Sequence, residues 1–341
     1  DRYRALRAGV AAIAPDAPLP AGAAPFRVDL LRPLAAAELG PLVVAEVARG
    51  IAALHAMYVP GEDPLWSDFR ARFVARYGQR TVPLPEVMDE IGFRRVPGQA
   101  VATPSLSGLA VHRPAPRTQT LQWTPAMSLI LGKMERAWQH GHDEIELTPD
   151  ELAGCRSGAL RPLPDALSAM ITVLAPTPAA IDAGDFRVVL TIAAGPSGIR
   201  QLARYGGGDE PLTDWLQSHV QAEEALRPDA VFAEIVHAPA GAERSADICV
   251  RPLLRPYEIP YLGRSGAPPE RQLAVADLLV EVRDGRVRLR SRRLGREVIP
   301  RLSAPDNFKR ETDDTYAFLC ELQAEGRIHW LFPRIDMLSH A

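Results

Sequence analysis

The sequence predicts an α+β fold: mixed or antiparallel sheets, peripheral helices and a β-meander near the C-terminus. Three observations lead there. Helical-period segments crowd the first half and strand-like runs the second, with no clean βαβ alternation. The dipeptide Asp284-Gly285 stands between two alternating runs, a strong hairpin signal. Hydrophobic residues make up 47% and charged residues 24%, which a packed core requires.

In chain order, residues 1–24 read as a linker or irregular start, because APDAPLPAGAAP is rich in Pro and Gly. Residues 25–160 read as a mostly helical subdomain and 161–341 as an α+β subdomain with an antiparallel sheet. PFRVDLL at 25–31 predicts a short strand. Leu42, Val43, Val47, Ile51 and Leu54 recur at helical spacing, behind Pro41 and ahead of Pro60-Gly61. LWSDFRARFVARY is an amphipathic helix with Trp66, Phe69 and Phe73 on one face and Gly78 as its cap. A Pro-, Ser- and Gly-rich loop is expected over 95–122, then a helix from Thr124 to His140. Thr148 and Glu151 have the spacing of a capping box. Strands follow at Ser168–Leu174 and Phe186–Ile192. A turn at Gly195–Gly198 leads into a short helix ending near Tyr205, and Gly206–Gly208 reads as a flexible break. A helix over Glu210–Ala225 and a strand over Ala230–His237 come next. Asp277–Arg283, Arg286–Arg292 and Arg296–Ile299 form the meander.

Composition excludes several function classes. The net charge of −3 gives no global attraction for nucleic acid, so any RNA contact needs a local basic patch. Of 39 cationic side chains only Lys133 and Lys309 are lysine. Cys155, Cys249 and Cys320 are few, odd in number and widely spaced, which argues against a disulfide framework or zinc knuckle and fits a reducing cytoplasm. No apolar run is long enough for a membrane span, and no signal peptide is seen. No phosphate-binding loop or nucleophile elbow occurs.

Five constellations could carry chemistry. Arg286, Arg288, Arg290 and Arg292 alternate along one strand and share a face, suited to phosphate or to a solvated sheet surface. Arg70, Arg72, Arg76, Arg80, Arg94 and Arg95 form a second basic cluster on a helix and loop, a solvated charge run by the simpler reading. His140-Gly141-His142-Asp143-Glu144 mimics a metal site without distant partners, and a helix C-terminus explains it more simply. Glu234 and Glu258 lie in apolar runs, where a carboxylate must be paired or catalytic, and Arg251 and Arg255 are the partners at hand. His237 closes the Glu234 strand and Ser197 lacks a nearby His or Asp; structural roles are the simpler reading for both.

The segments AEIVHAP, RPLLRPYEIPYLG, LRSRRLGREVIPRL and DDTYAFLCELQ, in this order, resemble the core of the lantibiotic dehydratase family. FRVDLLRP, LWSDFRARFVARYGQRTVPLPEVMDEIGF and GPSGIRQLARYGGGD are similar to further stretches of it, so the likeness runs from about Pro25 to Asp336. Two departures stand out: Ala304-Pro305-Asp306-Asn307 replaces the family's Ala-His-Asn, and Ala203 and Tyr205 replace the residues flanking Arg204. The resemblance, with Asp1 in place of Met, implies a fragment from the central part of the N-terminal glutamylation domain, inactive alone.

The resemblance further implies glutamyl-tRNA-dependent glutamylation of Ser or Thr in a ribosomal precursor peptide, the first step of dehydration in lanthipeptide or thiopeptide biosynthesis. Asp29 and Arg204 take the catalytic positions. Asp29 would orient or deprotonate the hydroxyl; Arg204 would hold the tRNA terminus or the glutamyl carboxylate. Arg76, Arg251, Arg255, Arg286, Arg288, Arg290 and Arg292 are the expected substrate- and tRNA-binding residues. No metal or organic cofactor is implied, with glutamyl-tRNA as co-substrate. The partners are glutamyl-tRNA, a precursor peptide and a cyclase, with a homodimer left open. Two rivals remain: an aminoacyl-tRNA-dependent peptide ligase of the same superfamily, and a non-catalytic tRNA- or peptide-binding scaffold.

Overall fold

The structure, a computed structural model, describes residues 2–13, 29–30, 38–58, 63–94, 123–156, 160–238, 249–305, 308–310 and 313–332. The chain divides into two units, Asp1–Ala37 and Glu38–Ala341. In the first, helix α1 (Arg2–Ile13) replaces the irregular start expected over 1–24. Ala, Arg and Leu are strong helix formers, and no Pro intervenes before Pro15. The strand expected over 25–31 is not seen at residues 29–30, and its remainder lies outside the described residues.

In the second unit the helices are α2 (Pro41–Ala56), α3 (Pro64–Tyr77), α4 (Leu84–Glu90), α5 (Pro125–Gln139), α6 (Pro149–Gly154), α7 (Pro178–Asp182), α8 (Glu210–Ala225) and α9 (Asp314–Leu322). The starts of α3, α5, α6, α7, α8 and α9 are capped by Asp63, Thr124, Thr148, Thr177, Asp209 and Asp313, whose side chains accept orphan backbone N–H groups. The capping box of Thr148 and Glu151 forms as expected. Gly78 ends α3 at φ 64°, where a Cβ would be strained.

The strands are β1 (Val82–Pro83), β2 (Ser168–Leu174), β3 (Arg187–Ala194), β4 (Ala230–Val236), β5 (Tyr257–Pro260), β6 (Leu278–Arg283), β7 (Arg286–Ser291) and β8 (Glu297–Arg301). Six of them make a sheet in the order β1-β6-β7-β8-β4-β5, and β2 pairs with β3 alone. The meander β6-β7-β8 is antiparallel as expected. The sheet as a whole is mixed rather than antiparallel, because β4 runs parallel to both β5 and β8.

One apolar face of this sheet carries Val280, Val282, Val287, Leu289, Val298, Ala233 and Ile235. Against it pack Trp66, Phe69, Phe73 and Tyr77 of α3, Leu84 and Val87 of α4, and Phe318 of α9. Phe93 meets Phe318 edge-on with centroids 5.4 Å apart, the geometry that ring quadrupoles favour. Because β1, α3 and α4 share this core, the division expected near residue 160 runs through one compact unit. Residues of opposite parity, Phe232, Glu234 and Arg301, turn to the other face, where Glu223 of α8 reaches them.

Two local expectations change. Gly206–Gly208 is not a break but the end of a 3₁₀ turn, Ala203–Gly208. A Cβ on Gly206 would stand 3.0 Å from Leu216 and 3.1 Å from Pro252, so glycine serves close packing there. Arg292 falls in the turn after β7, so three arginines rather than four alternate on that strand.

Candidate functional site

The second face of the sheet is built around charge. Arg255 is buried, and three carboxylates surround it. Its Nη2 donates to Glu223 Oε2 at 2.7 Å and its Nη1 to Glu224 Oε1 at 3.0 Å, while its Nε lies 3.6 Å from Glu234 Oε2. Arg301 Nε donates to the other oxygen of Glu223 at 2.7 Å. Both guanidinium groups lie against the ring of Phe232, at 5.6 and 4.9 Å from its centroid. Ser197 Oγ donates to Glu223 Oε2 at 3.0 Å, which ties the segment before the 3₁₀ turn to α8.

Glu234 is satisfied from three sides. It accepts from the backbone N and Oγ of Ser303 at 2.6 and 2.7 Å, and Arg251 Nε stands 3.1 Å away. Glu258 is cradled by Ser265 Oγ and the N–H groups of Gly266 and Ala267 at 2.5, 2.8 and 3.2 Å. The expectation that Glu234 pairs with Arg251 and Arg255 is therefore met in the structure.

Electrostatics follow from this packing. Burial acts to raise the Glu223 carboxyl, yet Arg255 and Arg301 together hold it below the ordinary carboxylate range. Burial prevails at Glu224, which is raised in spite of Arg255. At Arg301 burial, aided by the neighbouring Arg255 charge, lowers the guanidinium, which Glu223 opposes. Charge on one partner is thus conditional on the other. Removing a single member would strand a buried ion, a loss of about 3–5 kcal/mol.

The 3₁₀ turn that bears Arg204 rests on this framework. Ala203 packs with Ile199, Leu216 and Val220 in a small apolar cluster. The Arg204 guanidinium lies 4.3 Å from the Tyr205 ring centroid and is partly exposed, where a carboxylate or phosphate could be held by forked hydrogen bonds. Nearby in sequence, Arg200 donates from Nε to Ala304 O at 3.3 Å and from Nη1 to His329 Nε2 at 3.3 Å. Burial, then Arg200 and Lys309, push the His329 imidazole down to about 3, so it is neutral and can accept.

The other expected residues scatter. Asp29 is exposed and belongs to the N-terminal unit. Arg76 is exposed on α3 and paired with Glu90 at 2.6 Å. Arg251, half-buried, and Arg255, buried, both pair within the ionic network, with Glu234, Glu223 and Glu224 as their partners. Arg286 and Arg288 line a polar cleft of about 180 Å³ with Arg227 and Arg327, opposite Glu297 and Glu325. Arg290 donates to Gly295 O at 2.8 Å, and Arg292 is exposed in its turn. Arg95 lies outside the described residues, as does the loop expected over 95–122. His140 Nδ1 bonds Arg136 O at 2.7 Å within the end of α5, the structural role preferred for it.

The sequence reading missed Glu223, Arg301 and His329. Glu223 continues the buried stripe Leu216–Val220 of α8, and Arg301 stands inside the run VIPRL, so each was a charge among apolar residues. His329 sits between Ile328 and Trp330 with no periodic signal.

Comparison with known proteins completes the picture. In fold, the chain is similar to the tRNA-dependent lantibiotic dehydratase MibB from Microbispora sp. 107891, with a TM-score of 0.64 and 24% identity. That match covers 85% of this chain and 27% of MibB, so the chain spans little more than a quarter of that dehydratase. The glutamylation domain of TbtB, from thiomuracin biosynthesis, matches at 22% identity and a TM-score of 0.47, covering 86% of this chain and 35% of that one. No curated protein matches. The family described as lantibiotic dehydratase, N terminus, matches residues 1–334, nearly the whole chain. The chain belongs to the lantibiotic dehydratase family, in its N-terminal part.

Proposed function

We propose that this chain takes part in transfer of glutamate from glutamyl-tRNA to Ser or Thr hydroxyls of a ribosomal precursor peptide. Family membership across residues 1–334 is the observation that carries this reading. The chemistry is self-consistent. An aminoacyl ester is already an activated acyl donor, so no metal or organic cofactor is called for. What the protein must supply is positioning, charge stabilisation and a grip on a polyanion.

In this reading Arg204 holds the glutamyl carboxylate or the tRNA terminus, and Asp29 orients the acceptor hydroxyl. Arg286 and Arg288, in their cleft, with half-buried Arg290 and the exposed Arg292 and Arg76, contribute to tRNA contact. Arg251 and Arg255 act indirectly, as parts of the framework under the Arg204 turn.

The test is a mass measurement. The full-length protein is incubated with charged glutamyl-tRNA and its precursor peptide. One added glutamyl unit per modified Ser or Thr is expected, and Arg204→Ala should abolish it with the fold intact. RNA binding without any adduct would replace this reading with a binding scaffold. An amino acid added at the peptide C-terminus would replace it with a ligase.

A further inference from the structure

Strands β8, β4 and β5 are parallel neighbours, so their carboxyl ends open on one sheet edge. Ligands of parallel sheets are commonly met at that edge, where strand order reverses. Here the chain leaves β4 to form β5 on one side and returns later as β8 on the other.

The residues immediately beyond β4 and β5 are His237 and Tyr261. His237 Nδ1 donates to Tyr261 O at 3.0 Å. A carbonyl only accepts, so this bond fixes the tautomer and leaves the lone pair of the neutral ring on Nε2. The imidazole lies flat on Tyr316, with centroids 3.9 Å apart and planes at 22°. Asp313 ties the surrounding rings in place: its Oδ1 accepts from Tyr316 N and its Oδ2 from Tyr261 Oη, both at 2.8 Å. Burial and the bond to Asp313 push the Tyr261 phenol up to about 12, so it remains a donor.

The backbone is also unusual there. Leu262 is exposed and holds a φ of 52°, which costs a bulky residue energy. Beside it, a Cβ on Gly263 would come within 2.8 Å of Val236 O. Such strain persists where the surroundings over-determine it, and it gathers at binding sites. One imidazole nitrogen is thus fixed by a built shell, while no described residue hydrogen-bonds the other.

We propose that His237 is the acid–base residue of a hydroxyl-binding site at the carboxyl ends of β4 and β5. This rests on the glutamyl-transfer reading and names the base for it. His237 Nε2 takes the proton of the Ser or Thr hydroxyl as its oxygen attacks the ester carbonyl of glutamyl-tRNA. The bond from that carbonyl to the ribose oxygen then breaks, and the ribose oxygen recovers the proton from Nε2. The products are a glutamyl ester on the peptide and a tRNA with a free terminal hydroxyl.

The experiment has two arms. In His237→Asn the side-chain amide keeps a donor for Tyr261 O but has no base. Glutamyl transfer should fall at least about 100-fold in kcat with peptide KM little changed. Exogenous imidazole should restore part of the activity of His237→Gly, which a purely structural role would not permit. A His237→Asn rate equal to wild type overturns the proposal. The second arm uses wild-type protein and diethyl pyrocarbonate, which acylates an open imidazole nitrogen. Modification of His237, slowed by a Ser-containing precursor peptide more than by its Ala counterpart, is expected. If His237 is unmodified or unprotected, the proposal fails. Absence of any glutamyl adduct with wild type would instead overturn the transfer reading, leaving the protection arm to judge His237.

Discussion

At the scale of single residues, this protein places charge where its sequence pattern calls for apolar side chains, and satisfies each charge. Glu223 and Arg301 occupy core-like positions and bind each other at 2.7 Å. His329 is the uncharged counterpart, a half-buried imidazole accepting from Arg200. In the unfolded chain it would take up a proton near 6.5, whereas in the folded protein it resists until about 3. Between those values the unfolded state binds more protons, so acid favours unfolding. The stability His329 contributes is complete above about 6.5 and is lost as pH falls toward about 3. His329→Gln keeps an acceptor for Arg200 but cannot titrate in this range. Its acid-unfolding midpoint, followed by circular dichroism, should lie at lower pH than that of wild type. An unchanged midpoint would show that His329 is not a determinant of acid stability.

Elements were read from the sequence where a local rule acted alone. Asp284 and Gly285 take φ of 53° and 70°, the turn with two positive φ values that matches the twist of paired strands. The flanking runs register as Leu278↔Ser291 through Arg283↔Arg286. Nothing lies within 4 Å of a Cβ built on Gly285, so a substitution there tests conformation and not packing. Gly285→Val should lower stability by about 1–2 kcal/mol in urea denaturation with an unchanged denaturant slope. A loss near zero would mean that the strands, and not the turn, hold the register. Helix α8 and the cap of α3 were legible for the same local reasons. Strand β1 was not, because its two residues acquire their extended pairing only against Val280 and Leu279 of β6, some 200 residues on.

For the whole molecule, a net charge of −3 and the proposed polyanionic partner are reconciled only if arginines gather locally. The cleft bordered by Arg286 and Arg288 also holds Glu297 and Glu325, which temper its field. If both arginines contact tRNA phosphates, replacing them with Ala should flatten the dependence of log affinity on log salt by about 0.7–0.9 per arginine. Fluorescence anisotropy with labelled tRNA over a salt series measures this. An unaltered slope would place the tRNA path elsewhere on the surface.

The sequence by itself determined the α+β class, the helices α2, α3, α5 and α8, the β6-β7-β8 meander and the family. These follow from periodicity, capping chemistry, turn residues and ordered motifs, all of which act over a few residues. Only the tertiary structure decided that β4 lies parallel between β8 and β5, and that Glu223, Arg255 and Arg301 share one buried network. The same holds for Arg251 and Arg255 facing inward, and for the bond that ties His237 Nδ1 to Tyr261 O. The physical reason is that burial and ion pairing depend on partners distant in the chain: Glu223 and Arg301 are 78 positions apart. A local pattern can mark a charge on an apolar face, but only the packed fold supplies its partner.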